Sequence, residues 1–347
     1  MRKTLLTCLA LAGLFAPLNA AGTPPFVPVF ETNFPDPFIL PHSGAFLAYA
    51  TNPEGAAANV PMARSPDLVN WSLVRGKDGL HDAMPDLPPW AREGWTWAPE
   101  VLPHQGRYLL YFTAKEKSSG LQCVGVAAAT DPAGPFTSSA VEPLVCQRPL
   151  GGTIDPHVFR DSNGQLYLYY KNDGNHPKFG KPTDIFVQRL APDGLSLIGE
   201  PVALLRNDQK WEAHVIESPT MVRQGDRYVM FFSANHFGWE PDQRLSPYAM
   251  GFARCEGPMG PCTDAPANPI LYSYNSSKAG CLSGPGHQAL FETAGRQFIV
   301  FHAHAARGGC RNANKGRYMY IAPLLWEAGD PRIGVSLRPA PPMGERG

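Results

Sequence analysis

Along the chain, short dense runs of apolar residues recur behind polar turns. Ser43-Gly44-Ala45 leads into Phe46-Leu47-Ala48-Tyr49, and Gln105-Gly106-Arg107 into Tyr108-Leu109-Leu110-Tyr111-Phe112. Asn163-Gly164-Gln165 leads into Leu166-Tyr167-Leu168-Tyr169-Tyr170, Gln224-Gly225-Asp226 into Tyr228-Val229-Met230-Phe231-Phe232, and Ala294-Gly295-Arg296 into Phe298-Ile299-Val300-Phe301. These runs are too short and too rich in aromatic and β-branched residues for helices. They predict strands, with the turn glycines marking hairpins. From glycine to glycine the intervals are 62, 58, 61 and 70 residues. A shorter apolar run stands before each strand and another after it, as in Val124-Gly125-Val126-Ala127-Ala128 or Tyr248-Ala249-Met250-Gly251-Phe252. Five copies of strand, turn, strand, loop, strand predict an all-β, five-bladed β-propeller with roughly four strands per blade. An irregular β-sandwich is the competing arrangement.

Upstream of each turn glycine lies an ionisable residue at the start of the blade's first strand. The segments are Phe34-Pro35-Asp36-Pro37, Trp97-Ala98-Pro99-Glu100, Ile154-Asp155-Pro156-His157, Glu217-Ser218-Pro219 and Gly286-His287-Gln288. First strands of a propeller line its central channel, so equivalent positions converge on the axis. Asp-Pro and Pro-Glu also favour turns on their own account. Five in register point instead to a site, because isolated buried carboxylates are costly anywhere else.

Composition agrees with this picture and removes other classes. The 347 residues carry 30 basic and 30 acidic side chains, so no basic footprint for nucleic acid is present. Charged residues are 17% and hydrophobic residues 44%, which excludes a disordered chain and leaves enough apolar surface for a large core. Glycine (34) and proline (37) together make about a fifth of the chain, as expected of strands joined by tight turns.

The first 21 residues read as a signal peptide: Arg2 and Lys3, then an apolar stretch from Leu5 to Phe15, then small residues at Ala20 and Ala21. The mature chain, residues 22–347, is then expected to be one propeller domain, secreted (extracellular or periplasmic), with no membrane association after cleavage. Loss of Cys8 leaves six of the seven cysteines, an even number suited to disulfides. Fifteen pairings are possible. The sequential set, Cys123–Cys146, Cys255–Cys262 and Cys281–Cys310, is the expected one.

Taken together, the motifs resemble glycoside hydrolase family 43, the inverting arabinanases, arabinofuranosidases and β-xylosidases built on a five-bladed propeller. The likeness runs from about Phe34 to Trp326 and includes the five axial segments and Ser65-Pro66-Asp67-Leu68-Val69-Asn70-Trp71. The resemblance implies that Asp36 is the general base, Glu217 the general acid, and Asp155 the residue that orients the acid and tunes its pKa. Glu212, in Trp211-Glu212-Ala213-His214, competes for the acid role. Ser218 stands where many relatives have glycine.

The same resemblance makes His287 an axial residue near a metal or water cluster, with a structural calcium on the propeller axis as the implied ion. No cofactor is required for the chemistry. A histidine that is only hydrogen-bonded in the channel is the alternative, and Glu100 is expected to support the axis. Trp97 is a candidate to stack on a sugar ring, with Trp95 and Trp239 extending that surface or packing between blades. Arg317 in Gly316-Arg317-Tyr318 resembles the family's sugar-contacting arginine in the last blade. The expected partner is an oligo- or polysaccharide containing pentose, with α-L-arabinofuranosidase or arabinanase favoured over β-xylosidase. A fructoside-acting propeller would usually carry arginine before the middle Asp-Pro, where this chain has Ile154. A binding propeller without catalysis would have no use for the intact trio Asp36, Asp155 and Glu217.

Overall fold

The computed structural model describes residues 26–52, 58–77, 79–238, 245–276, 280–307 and 311–337. Residues 1–21, expected to be a signal peptide, lie outside them, as do Trp239 and Cys310. Among the described residues five antiparallel sheets of three or four strands form, each built from strands consecutive in sequence, beside two small two-stranded hairpins. Their first strands are Phe38–His42, Ala91–His104, Thr153–Arg160, Ile216–Gln224 and Gly286–Thr293. Each of these packs against the next, and the fifth returns to the first, which closes the ring of a five-bladed propeller. No α-helix occurs among the described residues, only a single 3-10 turn at Arg148–Leu150.

The apolar runs are continuous rather than alternating because both faces of every sheet are buried. One hydrophobic cluster fills each of the five spaces between neighbouring blades. Strand Leu166–Asn172 shows the division: Tyr167 and Tyr169 pack towards blade 4, whereas Leu166, Leu168 and Tyr170 pack towards blade 2. Three buried tyrosines also satisfy their hydroxyls across these spaces. Tyr49 donates to the Pro132 carbonyl (2.6 Å), Tyr111 to Gly194 (2.6 Å) and Tyr169 to Pro258 (2.5 Å).

All five turn glycines have positive φ: Gly44, Gly106, Gly164, Gly225 and Gly295. Ser43, Gln105 and Ala294 before three of them do too, the signature of a tight hairpin whose twist matches its strands. Four blades have four strands and blade 2 has three. Its outer edge is reduced to isolated bridges, Ala128 to Thr137 and Val124 to Val145. Pro132, Pro135 and Pro143 in that segment lack the N–H a ladder needs.

The ends of the ring meet at blade 5. The Val29 N–H donates to the Met319 carbonyl and the Phe34 N–H to the Arg317 carbonyl, both at 2.9 Å. Disulfides Cys123–Cys146 and Cys255–Cys262 form as expected, each within one blade. Cys281 is disulfide-bonded as well.

Candidate active site

Each first strand begins with a β-bulge or turn that holds one residue in the left-handed region. These residues are Asp36 (φ 53°), Ala98 (46°), Asp155 (58°), Ser218 (54°) and His287 (51°). None is glycine, so the strain is supported by a hydrogen bond from another blade. The Ala98 N–H donates to Thr51 Oγ1 (2.8 Å), the Asp155 N–H to Thr113 Oγ1 (3.2 Å) and the His287 N–H to Ser233 Oγ (2.8 Å). The Asp36 N–H donates to His302 Nδ1 (3.2 Å), which closes the set around the ring.

This register refines the alignment read from sequence. Asp36, Asp155 and His287 occupy the left-handed position, but Glu217 sits one residue before it and Glu100 two residues beyond. Glu100 accordingly turns aside from the three acidic groups. Its carboxylate lies 2.9 Å from His157 Nδ1, joining the first strands of blades 2 and 3. Asp36, Asp155, His287 and Glu100 line one axial channel with Ala98 and Ser218.

Around Asp36 the surroundings are cationic. Arg317 Nη1 is 3.0 Å from Oδ1 and His287 Nδ1 is 3.4 Å away, while the Thr51 hydroxyl donates to Oδ2. Burial alone would push this carboxyl up, but Arg317 and then His287 overrule it and hold it well below the usual carboxylate range. His302 itself is driven down to about 3 by burial, with Arg317 adding to the effect. It is therefore neutral, and its Nδ1 is free to accept the Asp36 N–H.

Asp155 is treated differently. Its Oδ2 accepts the Ser218 N–H at 3.0 Å. Burial pushes its carboxyl up to about 7, with Glu217 and Asp36 adding repulsion against the opposing pull of His287 and Lys171. Ligand atoms of Asp155, Glu217 and His287 lie within 4.8 Å of one another, which brings the carboxyls of blades 3 and 4 together. Glu217 is buried and gripped from two sides. The Tyr248 hydroxyl donates to Oε1 at 2.6 Å, and Lys171 Nζ stands 3.5 Å from Oε2.

Tyr248, Lys171, Thr51 and His302 were not singled out from sequence. A signal for three of them exists: Thr51, Thr113, Lys171, Ser233 and His302 each fall seven or eight residues after a turn glycine. Glu212 lies away from the channel. It is fully buried, and its Oε2 caps a loop by accepting the Asp208 and Gln209 N–H groups at 2.9 Å each.

Trp97 is half-buried directly before the left-handed Ala98. Its ring centroid is 6.0 Å from that of Trp95, which is 40% exposed and carries Lys115 Nζ 3.5 Å above its ring. Across the site, Arg317 lies 5.7 Å from the ring of Phe237, which is half exposed. Phe237 is a further rim aromatic that the repeat pattern does not reach.

Asp155, Glu217 and His287 are close enough to hold a metal ion, but the set does not suit calcium, which takes about six to eight oxygen ligands. One donor is an imidazole. Ser218, Tyr248 and Lys171 already engage the two carboxylates. A second group, Glu116 with Cys123 and Cys146, is spent: the sulfurs are bonded to each other and Glu116 pairs with Arg148. No step below runs through a metal.

A propeller whose axis gathers a cation-held carboxylate, Asp36, beside the adjacent carboxyls of Asp155 and Glu217 is built like a polysaccharide-cleaving hydrolase. The chain belongs to the glycosyl hydrolases family 43, whose model matches residues 26–331. Among curated proteins it is similar to an extracellular exo-α-(1→5)-L-arabinofuranosidase of Cellvibrio japonicus, 24% identical and covering 78% of this chain and 79% of that protein. It spans only 46% to 66% of the length of several longer curated relatives. Among solved structures it resembles a thermostable family-43 glycoside hydrolase (TM-score 0.74, 29% identity, 89% of this chain and 96% of that one). It also resembles an endo-1,4-β-xylanase of Bacteroides thetaiotaomicron (TM-score 0.69, 26% identity, 89% and 98%).

Proposed function

We propose that the protein is a secreted, inverting glycosidase that removes or cleaves pentose units of plant polysaccharide, as an α-L-arabinofuranosidase or arabinanase. The observation that carries this reading is the electrostatic split on the axis. Asp36 is held ionised by Arg317, whereas burial raises Asp155, beside Glu217, to about 7. Inversion needs such a division: a carboxylate base to activate water on one face of the sugar, and an acid on the other to protonate the leaving oxygen.

In this scheme Asp36 takes a proton from the attacking water while Glu217 gives one to the departing oxygen. Asp155 orients the acid, being tied through the Ser218 N–H to the residue beside it. Arg317 and His287 border both the base and the sugar, and Trp97 offers a stacking face. The arabinan preference is supported by the C. japonicus relative, and secretion by the relatives described as extracellular. No helix among the described residues is long and apolar enough to cross a membrane. Cleavage after residue 21, leaving residues 22–347, belongs to the same proposal and is checked by N-terminal sequencing of the exported chain. A β-xylosidase on the same scaffold is the second reading.

The deciding experiment measures 4-nitrophenol release from the α-L-arabinofuranoside and the β-D-xylopyranoside, beside hydrolysis of linear arabinan, with Asp36→Ala and Glu217→Gln in parallel. Activity on one pentose should fall by about 10²- to 10⁴-fold in the variants. The first sugar released should appear with inverted anomeric configuration by proton NMR. Full activity in a folded Glu217→Gln variant would refute the assignment.

A further inference from the structure

Five equivalent side chains stand at the ends of the second strands, and four of them do one job. Thr51, Thr113, Ser233 and His302 are buried, and each accepts the N–H of the left-handed residue in the following blade. Blade 3 breaks the rule. Its residue at that place is Lys171, cross-strand partner of Ile154 just as Ser233 is of Glu217 and His302 of Gly286. A lysine ammonium has three donors and no acceptor, so it cannot take the N–H of Ser218.

Two consequences follow from that single exchange. The Ser218 N–H, denied its usual acceptor, donates to Asp155 Oδ2 at 3.0 Å, which ties Asp155 to the residue beside Glu217. The ammonium itself is completely buried, 3.5 Å from Glu217 Oε2 and 3.9 Å from Asp173 Oδ1, with Asn175 Oδ1 accepting from it at 2.7 Å. A buried lysine is expensive unless it is paired and hydrogen-bonded. A threonine here would satisfy the fold at lower cost, as it does in blades 1 and 2. The cation is therefore retained for what it does to its neighbours.

We propose that Lys171 is a positioning residue for the glycosidase reaction: it holds the Glu217 carboxyl towards the leaving oxygen and, by refusing the Ser218 N–H, docks Asp155 against the acid. This rests on the hydrolase reading above. Lys171 has no solvent-exposed surface, so it acts through Glu217 and Asp155 and not on the sugar. The groups facing Glu217 are Lys171, Asp155, His287 and Tyr248, with Asp173 beyond the ammonium.

Lys171→Thr tests the idea sharply, because it restores the acceptor used elsewhere in the ring and so spares the fold. Lys171→Met, which restores neither acceptor nor charge, is the companion variant. Both are compared with wild type and Glu217→Gln on a 4-nitrophenyl glycoside, whose leaving group needs no proton, and on an unactivated oligosaccharide of the same pentose, whose leaving group does. For Lys171→Thr, turnover of the oligosaccharide should fall by about 10²-fold while the 4-nitrophenyl glycoside loses less than about fivefold, a weaker copy of Glu217→Gln. Its melting temperature should stay close to wild type. Equal losses on both substrates overturn the proposal, as does an unchanged ratio in a folded variant. Failure of both variants to fold makes Lys171 a structural residue and overturns it too. If wild type is active but Glu217→Gln shows no selective loss, the acid assignment has failed first, and the Lys171 proposal falls with it.

Discussion

The Tyr248 phenol donates to Glu217 Oε1 at 2.6 Å, inside the polar centre of the ring. The contact exists because Gly286 lets the ring come close: a Cβ on Gly286 would lie 2.1 Å from Tyr248 Cε1. The phenol is held protonated by burial, with the charge of Glu217 acting in the same direction. It is thus a fixed donor that sets which oxygen of Glu217 is engaged. Tyr248→Phe should lower kcat by about tenfold while costing about 1.5–3 kcal/mol of stability, the net worth of a hydrogen bond to a charged group. Gly286→Ala should do more damage to kcat than Tyr248→Phe, since it displaces the whole ring. Steady-state kinetics beside thermal melts of the two variants check both.

Activity should depend on pH in a lopsided way. Asp36 must be ionised, and its carboxyl lies well below the usual range, so the acidic limb is set far down. Asp155, next to the proposed acid, is raised to about 7 chiefly by burial, so the surroundings of Glu217 gain a negative charge as pH rises past that value. Hence kcat/KM should be flat through mildly acidic pH and fall as pH rises through about 7. A profile from pH 4 to 9 tests this; a plateau extending well past neutrality would contradict it.

Arg317 is the main counterweight to burial at Asp36. Arg317→Ala removes it, leaving desolvation to push the base upward. The acidic limb should then move to higher pH and kcat/KM at its optimum should drop by about 10²-fold. Arg317→Lys should rescue the limb only partly, because an ammonium lacks the planar fork. The pH profiles of the two variants distinguish loss of charge from loss of sugar contact, which would raise KM without moving the limb.

Stability should run in the opposite direction to what a salt-bridged carboxylate produces. Asp155 and Glu212 are each raised to about 7, and Asp264 to about 6, chiefly by burial. The folded chain therefore binds protons that the unfolded chain releases at ordinary carboxyl values. The stability these groups contribute is fully present below the unfolded values and is lost as pH rises through 6 to 7. The melting temperature should accordingly be higher at pH 5 than at pH 8. Glu212→Gln, remote from the axis, should flatten that slope without changing the pH dependence of catalysis.

The blades were legible in the sequence because both faces of each sheet are packed, which turns every second strand into an unbroken apolar run behind a glycine. The trio Asp36, Asp155 and Glu217 was legible because a repeat places equivalent residues on one axis. Its finer register was not: a period of two carries no mark of the bulge that sets Ser218, not Glu217, in the left-handed position. Lys171 was hidden by its place in Leu-Tyr-Leu-Tyr-Tyr-Lys-Asn, where a charge reads as the end of a strand. Tyr248 reads as one more apolar strand residue, since nothing local shows that its hydroxyl faces a carboxylate on a neighbouring strand. Phe237 belongs to a loop and to no repeat at all.

In the seam between the first and last blades, the Phe34 N–H, two residues before Asp36, donates to the carbonyl of Arg317 itself. Asp36, the proposed base, and the cation that keeps it ionised thus stand on the first and the last blade. A chain emerging from the ribosome completes blades 3 and 4, with Asp155 and Glu217, long before Arg317 exists. Catalysis must then switch on in one step, when the last blade meets the first. Turnover therefore doubles as a gauge of whether the ring is shut, and any lesion that springs the seam should silence the enzyme while four blades remain intact.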